Sequence, residues 1–178
     1  MICYLFWHTK LNKYSEDEYL ESHKIFHTEL KNEKPEGFID SFCFRIEDLK
    51  EVFEDYPVYF DVYSVENFSS LETLNKAAVN TRMKFSHDNI AVKSNSGAAG
   101  LYSKLKTAPD FKNLHFFSSF AKPQGVNYTQ FEGQLLNAGD NLIFKRIMVL
   151  SPLKEYILLS DQENTGENVN THRLKFLF

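Results

Sequence analysis

His23 and His27 stand four residues apart in the run His23-Lys24-Ile25-Phe26-His27. On a helix that spacing puts two imidazoles on one face, where they could hold a metal ion. The run lacks the Glu of a zinc-protease helix, and His23 falls within an apolar stripe. A buried histidine satisfied by a hydrogen bond is the competing reading. No metal is therefore expected, and His23 and His27 are the positions that would hold one.

His8 follows Trp7 at the end of an apolar run and precedes Lys10. An imidazole at a strand end can serve as a general base near neutral pH, or can simply be solvated. Arg45 and Arg146 occupy matched places in two other apolar runs. An arginine in a strand covered on both faces needs a partner. Asp61 and Glu155 offer cross-strand acids, and an anionic ligand is the alternative. Tyr59 and Tyr63 share one strand face, and Tyr4 and Phe6 lie on another strand. Such rings line a cavity for a flat apolar ligand or fill a core. Gly97-Ala98-Ala99-Gly100 lacks the Lys-Ser/Thr of a phosphate loop, and no nucleophile elbow occurs.

These residues must be positioned by regular elements. Ile2 to His8 reads as a strand covered on both sides. Ser15 and Glu18 form a capping box, and the helix after it should run to about Glu33, before Pro35. Strands follow at 38–46 and 57–65, then a second capping box at Ser69 and Glu72 opens another helix. Ser86 could restart a short turn. The run 94–100 reads as a loop and 101–106 as a fourth strand. After Thr107-Ala108-Pro109-Asp110 the order repeats: strand 114–121, a helix containing Phe131 and Leu135, strands 142–150 and 156–160, a polar loop, and strand 173–178. Residues 1–108 thus read as β-α-β-β-α-β, and 109–178 as a second copy without its second helix. Tyr19 aligns with Phe131, Lys10 with Lys122, Arg45 with Arg146, and Asp61-Val62 with Glu155-Tyr156.

A doubled β-α-β-β-α-β unit with strands apolar on both faces resembles the dimeric α+β barrel superfamily. Stretches such as Phe6-Trp7-His8-Thr9-Lys10, Asn75-Lys76-Ala77-Ala78-Val79 and Phe120-Ala121-Lys122-Pro123 are similar to bacterial and archaeal proteins of that type without assigned activity. The resemblance implies an α+β fold of two tandem ferredoxin-like repeats, packed sheet to sheet as a barrel within one chain. The superfamily includes cofactor-free monooxygenases, haem-dependent enzymes and isomerases, so fold does not decide function. Its haem-degrading members use an Asn on the first strand, a Trp on the third and a His on the second helix. Here the first strand has no Asn, the third has Tyr59 and Tyr63 but no Trp, and His87 is only near the second helix. In a ferredoxin-like sheet the third strand separates the first from the second. Cys3 and Cys43 would then be about 10 Å apart, beyond the roughly 7 Å reach of a disulfide, and should stay free.

Composition sets the remaining bounds. The chain has 178 residues, 43% hydrophobic and 25% charged, with a net charge of −4. That suits one large or two small folded domains and argues against disorder and nucleic-acid binding. No apolar run reaches the roughly 18 residues of a membrane span. Two cysteines without metal spacing suggest a reducing, cytoplasmic setting. Aromatics are in surplus, with 17 Phe and 9 Tyr, while Gly and Pro are scarce. The expected function is binding, and conversion if it is an enzyme, of a small apolar or aromatic molecule in a barrel cavity. His8 would be the general base, Trp7 and Tyr63 would shape the pocket, and Arg45 or Arg82 would orient an anionic group. No cofactor is expected, and the chain would act as a monomer or homodimer. The alternative is a non-catalytic module whose barrel is filled by side chains.

Overall fold

The computed structural model describes residues 1–178 except 55–56, 81–82, 109, 149–150 and 167. The first half contains β1 (Ile2–Lys10), α1 (Glu16–Glu33), β2 (Phe38–Ile46), β3 (Val58–Val65), α2 (Phe68–Asn80), α3 (Lys84–Ala91) and β4 (Ser94–Lys106). The second contains β5 (Phe116–Phe120), α4 (Tyr128–Asn137), β6 (Leu142–Arg146), β7 (Tyr156–Ser160) and β8 (Asn170–Phe176). Pro109, where the second repeat was expected to begin, lies outside the described residues.

The eight strands close into one barrel in the order β1-β3-β2-β8-β5-β7-β6-β4. Both halves keep one internal order, β4-β1-β3-β2 in the first and β8-β5-β7-β6 in the second. Two antiparallel seams, β2 with β8 and β4 with β6, join them. β3 separates β1 from β2, and Cys3 and Cys43 are both free and buried. No α-helix among the described residues is long and apolar enough to cross a membrane.

Local chemistry starts the helices. Ser15 caps α1: its Oγ accepts the Glu18 N–H at 3.2 Å, while Glu18 Oε2 accepts the Ser15 N–H at 2.9 Å. Glu16, Asp17 and Glu18 place negative charge at the positive end of the helix. At α2 the expected Ser69 box is replaced by Asn67, whose Oδ1 accepts the Ser70 N–H at 3.1 Å. Asn127 caps α4 by accepting the Gln130 N–H at 2.8 Å. Lys10 and Lys122, aligned in sequence, reach over the turns that follow. Each Nζ donates to the carbonyl four residues on, Tyr14 at 2.9 Å and Val126 at 2.5 Å.

The expected loop 94–100 is instead the first part of β4, with Gly97, Ala98, Ala99 and Gly100 opposite His8, Trp7, Phe6 and Leu5. Gly97 has a packing reason, since a Cβ there would sit 2.7 Å from the Phe6 ring.

The two faces of the barrel wall carry different cores. Inside, Leu5, Trp7, Phe42, Phe44, Phe60 and Phe117 interlock with residues from every other strand pair. Trp7 stacks on Phe60 with ring centroids 5.2 Å apart and planes 7° apart. Fully burying such a side chain stabilises the fold by about 2 kcal/mol. Outside, Ile2, Tyr59, Tyr63 and Val65 form a second core with α1, α2 and α3. Rings thus fill much of the interior, and a large cavity lies between the sheet and the helices, not inside the barrel where the sequence placed one.

Candidate functional site

The cavity between the outer face of β1/β3/β4 and the helices α1–α3 has a volume of about 710 Å³. Tyr4, Phe6, Asp61 and Tyr63 form its sheet wall. His23 and Phe26 come from α1, Leu74 and Ala78 from α2, Ile90 from α3 and Leu101 from β4. Most of this lining is apolar, and Asp61 brings a carboxylate into it.

β3 is buried along its whole length, yet Asp61 sits at its centre. Period-two alternation turns Asp61 outward with Tyr59 and Tyr63, and register places it opposite Phe6 on β1 and Cys43 on β2. Three imidazoles converge on it. His8 Nε2 lies 3.1 Å from Asp61 Oδ2, His23 Nε2 lies 3.7 Å from the same oxygen, and His27 Nε2 lies 3.4 Å from Oδ1. All four side chains are at most 2% exposed. Tyr63 donates its hydroxyl to Asp61 Oδ2 at 3.0 Å. Asp61 Oδ1 is buried and makes no hydrogen bond among the described residues, the His27 approach being a charge contact only.

The far nitrogens of the three rings are anchored as well. His8 Nδ1 meets the Tyr19 hydroxyl at 2.7 Å, and that hydroxyl is 3.0 Å from Ser94 Oγ. His27 Nδ1 meets Ser41 Oγ at 2.8 Å. His23 Nδ1 is 3.2 Å from the Tyr19 carbonyl, which only accepts, so Nδ1 carries the proton. The His8 and His23 rings stack 4.6 Å apart with planes 8° apart.

Burial and charge oppose each other here. Burial alone would raise the Asp61 carboxyl, but the imidazoles gathered on it, His8 first, outweigh burial and hold the group well below the usual carboxylate range. Burial pushes His23 down to about 3, against the pull of Asp61, so its ring is neutral at ordinary pH. Burial, and then Asp61, push Tyr63 and the Cys43 thiol well above their ordinary values. Asp61 is thus an ionised acceptor. His23, neutral and protonated on Nδ1, turns a lone pair toward it. His8, His23 and Asp61 also offer ligating atoms that all lie within 4.8 Å of one another, the set here most suited to a metal.

The sequence candidates are distributed unevenly around this centre. His8, His23, His27 and Tyr63 all surround Asp61. Trp7 lies on the opposite face of β1, inside the barrel. Arg45 does not pair with Asp61. It stands opposite Tyr59 and binds Glu16 at 2.9 Å and Glu47 at 3.2 Å, because β2 sets Cys43 rather than Arg45 against Asp61. Arg146 donates to the Leu153 carbonyl at 2.9 Å instead of to the Glu155 carboxylate. Arg82 lies outside the described residues. Asp61 as the hub, with Tyr19, Ser41 and Ser94 as anchors, was missed. The one visible signal was a charge inside Tyr59-Phe60-Asp61-Val62-Tyr63.

The fold can now be compared with known structures. A proposed monooxygenase from Lactobacillus acidophilus NCFM superposes with a TM-score of 0.64 over 98% of this chain and 93% of its own, at 7% identity. An anthrone oxidase-like protein superposes with a TM-score of 0.58 over 99% of this chain and 91% of its own, at 10% identity. The chain therefore shares its fold, a closed eight-strand barrel with helices packed outside, with these two proteins. At these identities the likeness concerns the fold alone. No protein-family model matches the sequence, and a search of curated proteins found no match.

Proposed function

We propose that the protein takes up a small, largely apolar or aromatic molecule between its sheet and helices, and that His23, Asp61 and Tyr63 receive the polar group of that molecule. The observation that carries this reading is a cavity of about 710 Å³ with apolar walls, entered at one place by a buried carboxylate. Rings and aliphatic side chains supply affinity without direction, and a few convergent polar groups supply orientation. The wall also supports proton transfer. Asp61 is the group that would accept a proton, while His8 donates Nε2–H to it from behind and is held in place by Tyr19. His8 would then serve acid–base chemistry through Asp61 rather than by touching the ligand. The packed barrel interior favours the second reading, a module without a ligand, and the cavity on the other face weighs against it.

Calorimetric titration with a panel of aromatic acids, phenols and fused-ring ketones tests the proposal. An anthrone belongs in the panel because one fold neighbour is described as anthrone oxidase-like. Leu74→Trp, which fills the cavity, should weaken binding by at least about tenfold, or about 1.4 kcal/mol. Trp7 emission should barely respond, since that ring faces the barrel interior. Binding that ignores Leu74→Trp but shifts Trp7 emission would relocate the ligand to the barrel. No binding by any probe would leave the packed-module reading standing.

A further inference from the structure

We infer that His8, His23 and Asp61 form a site for one divalent transition-metal ion in the wall of the cavity. Four observations converge on it. First, the ligating atoms are close: Asp61 Oδ2 is 3.1 Å from His8 Nε2 and 3.7 Å from His23 Nε2. Ligands held at about 2.1 Å around a tetrahedral ion stand roughly 3.4 Å from one another. Second, the outer nitrogens are already occupied. His23 Nδ1 donates to the Tyr19 carbonyl, which fixes its tautomer, and His8 Nδ1 is held by the Tyr19 hydroxyl, which can accept its proton once Nε2 gives up the one it shares with Asp61 to ligate an ion. Third, with that tautomer His23 points a lone pair at a carboxylate. Lone pair against anion is repulsive, and a cation between them turns both into ligands. Fourth, Asp61 Oδ1 is buried without a hydrogen bond among the described residues and has the His27 imidazole at 3.4 Å as a charge contact, so the carboxylate is not saturated by donors.

The donor set selects the class of ion. Two imidazoles and one carboxylate suit zinc or iron(II) and are a poor cage for calcium or magnesium. His23 and Asp61 line the cavity, so remaining coordination positions would face whatever occupies it. An ion there would polarise an oxygen of the bound molecule. That role rests on the reading above, whereas the presence of the ion does not. Because the His8 and His23 rings are nearly parallel, one must turn for both to present their lone pairs in plane. His23, which lines the cavity, is the ring that would turn.

Metal content of the full chain, purified without a histidine tag and stripped with chelator, tests the inference. After incubation with Zn²⁺, anaerobic Fe²⁺ or Co²⁺ and gel filtration, elemental analysis should find one ion per chain, and Co²⁺ should give visible absorption bands. His23→Leu and Asp61→Leu should cut retained metal by at least about tenfold, with circular dichroism confirming the fold. His87→Ala, which alters another cavity-lining histidine outside the set, should keep it. A wild-type chain that retains no more metal than His23→Leu would overturn the inference, as would full retention by both leucine variants. Aromatic binding measured in chelator reports on the cavity separately, so either idea can fail without the other.

Discussion

The chain builds its helix–sheet seam twice, once around a carboxylate and once around a leucine. His8 lies opposite Tyr59 as Phe120 lies opposite Tyr156, and Phe6 lies opposite Asp61 as Ser118 lies opposite Leu158. The rings repeat this correspondence. His8 meets Tyr19 edge-on and stacks with Tyr59, at 5.8 and 5.7 Å. Phe120 meets Phe131 edge-on and stacks with Tyr156, at 6.2 and 5.9 Å. Tyr19 and Tyr59 are in edge contact at 4.9 Å, and Phe131 and Tyr156 at 5.3 Å. His23, four residues after Tyr19, corresponds to Leu135, four after Phe131. The second seam centres on Phe120, Phe131, Ile143, Tyr156 and Leu158, with no carboxylate or imidazole among these core side chains. This architecture therefore has no need of a buried aspartate or its histidines. What the first half carries beyond the second is an addition to the scaffold, and that is the strongest reason to look for chemistry there.

Exchanging residues between the halves breaks or sharpens this contrast. The largest effect should come from Asp61→Leu, which strands the Tyr63 hydroxyl and the three imidazoles. We expect a loss of about 3 kcal/mol in urea unfolding. Adding His8→Phe and His23→Leu should recover at least half of that loss, because the seam then resembles the second. A triple variant no more stable than the single one would show that the halves differ in more than these side chains.

A pH effect comes next. His23 is depressed to about 3 in the folded chain, below the roughly 6.5 of an unfolded histidine. Between those values the unfolded state binds the extra proton, so stability is full above about pH 6.5 and falls as pH drops, by up to about 1.4 kcal/mol per unit. Asp61 adds to the loss only below about pH 4, where unfolded carboxyls protonate while its own stays ionised. Urea midpoints measured from pH 7 to pH 4 should slope in the wild type and flatten in His23→Leu. Equal slopes would contradict a buried neutral His23.

The smallest effect concerns a feature the halves share. Tyr59 donates to Glu16 at 3.3 Å, and Arg45 pairs with the same carboxylate. Tyr156 donates to Glu132 at 2.8 Å, and Lys145 pairs with it. Arg45→Gln and Lys145→Gln should each cost under about 1 kcal/mol, because these pairs are partly exposed. A much larger cost in one half would mark its pair as part of the site.

The elements were legible because capping residues and apolar runs announce them locally. Ser15 with Glu18, and Asn127 with Gln130, cap where the pattern places them. Residues 94–100 misled because glycine, usual in loops, is here what the Phe6 ring requires at 97 and what Ser151 and Tyr102 require at 100. The faces were harder still. Trp7 and His8 are consecutive, so one points into the barrel and the other out, but a strand apolar on both faces does not say which. Asp61 was misassigned because its partners depend on register: the β2–β3 ladder sets Cys43 against it and moves Arg45 one alternate residue away, to Tyr59. The same dependence shifts the repeat alignment, since Lys145, not Arg146, stands opposite Tyr156 as Arg45 stands opposite Tyr59. Four groups from positions 8, 23, 27 and 61 meet only after the sheet has formed.

The in-chain seams β2–β8 and β4–β6 let one chain supply both walls of the barrel. In a barrel assembled from two identical subunits, every substitution appears twice. A buried carboxylate would then carry its desolvation cost, several kcal/mol per ion, on both sides at once. Here that cost is confined to one wall while the other is free to settle into plain hydrocarbon packing. Linking the halves thus separates the task of staying folded from the task of holding a costly polar centre, and lets each wall drift toward its own optimum.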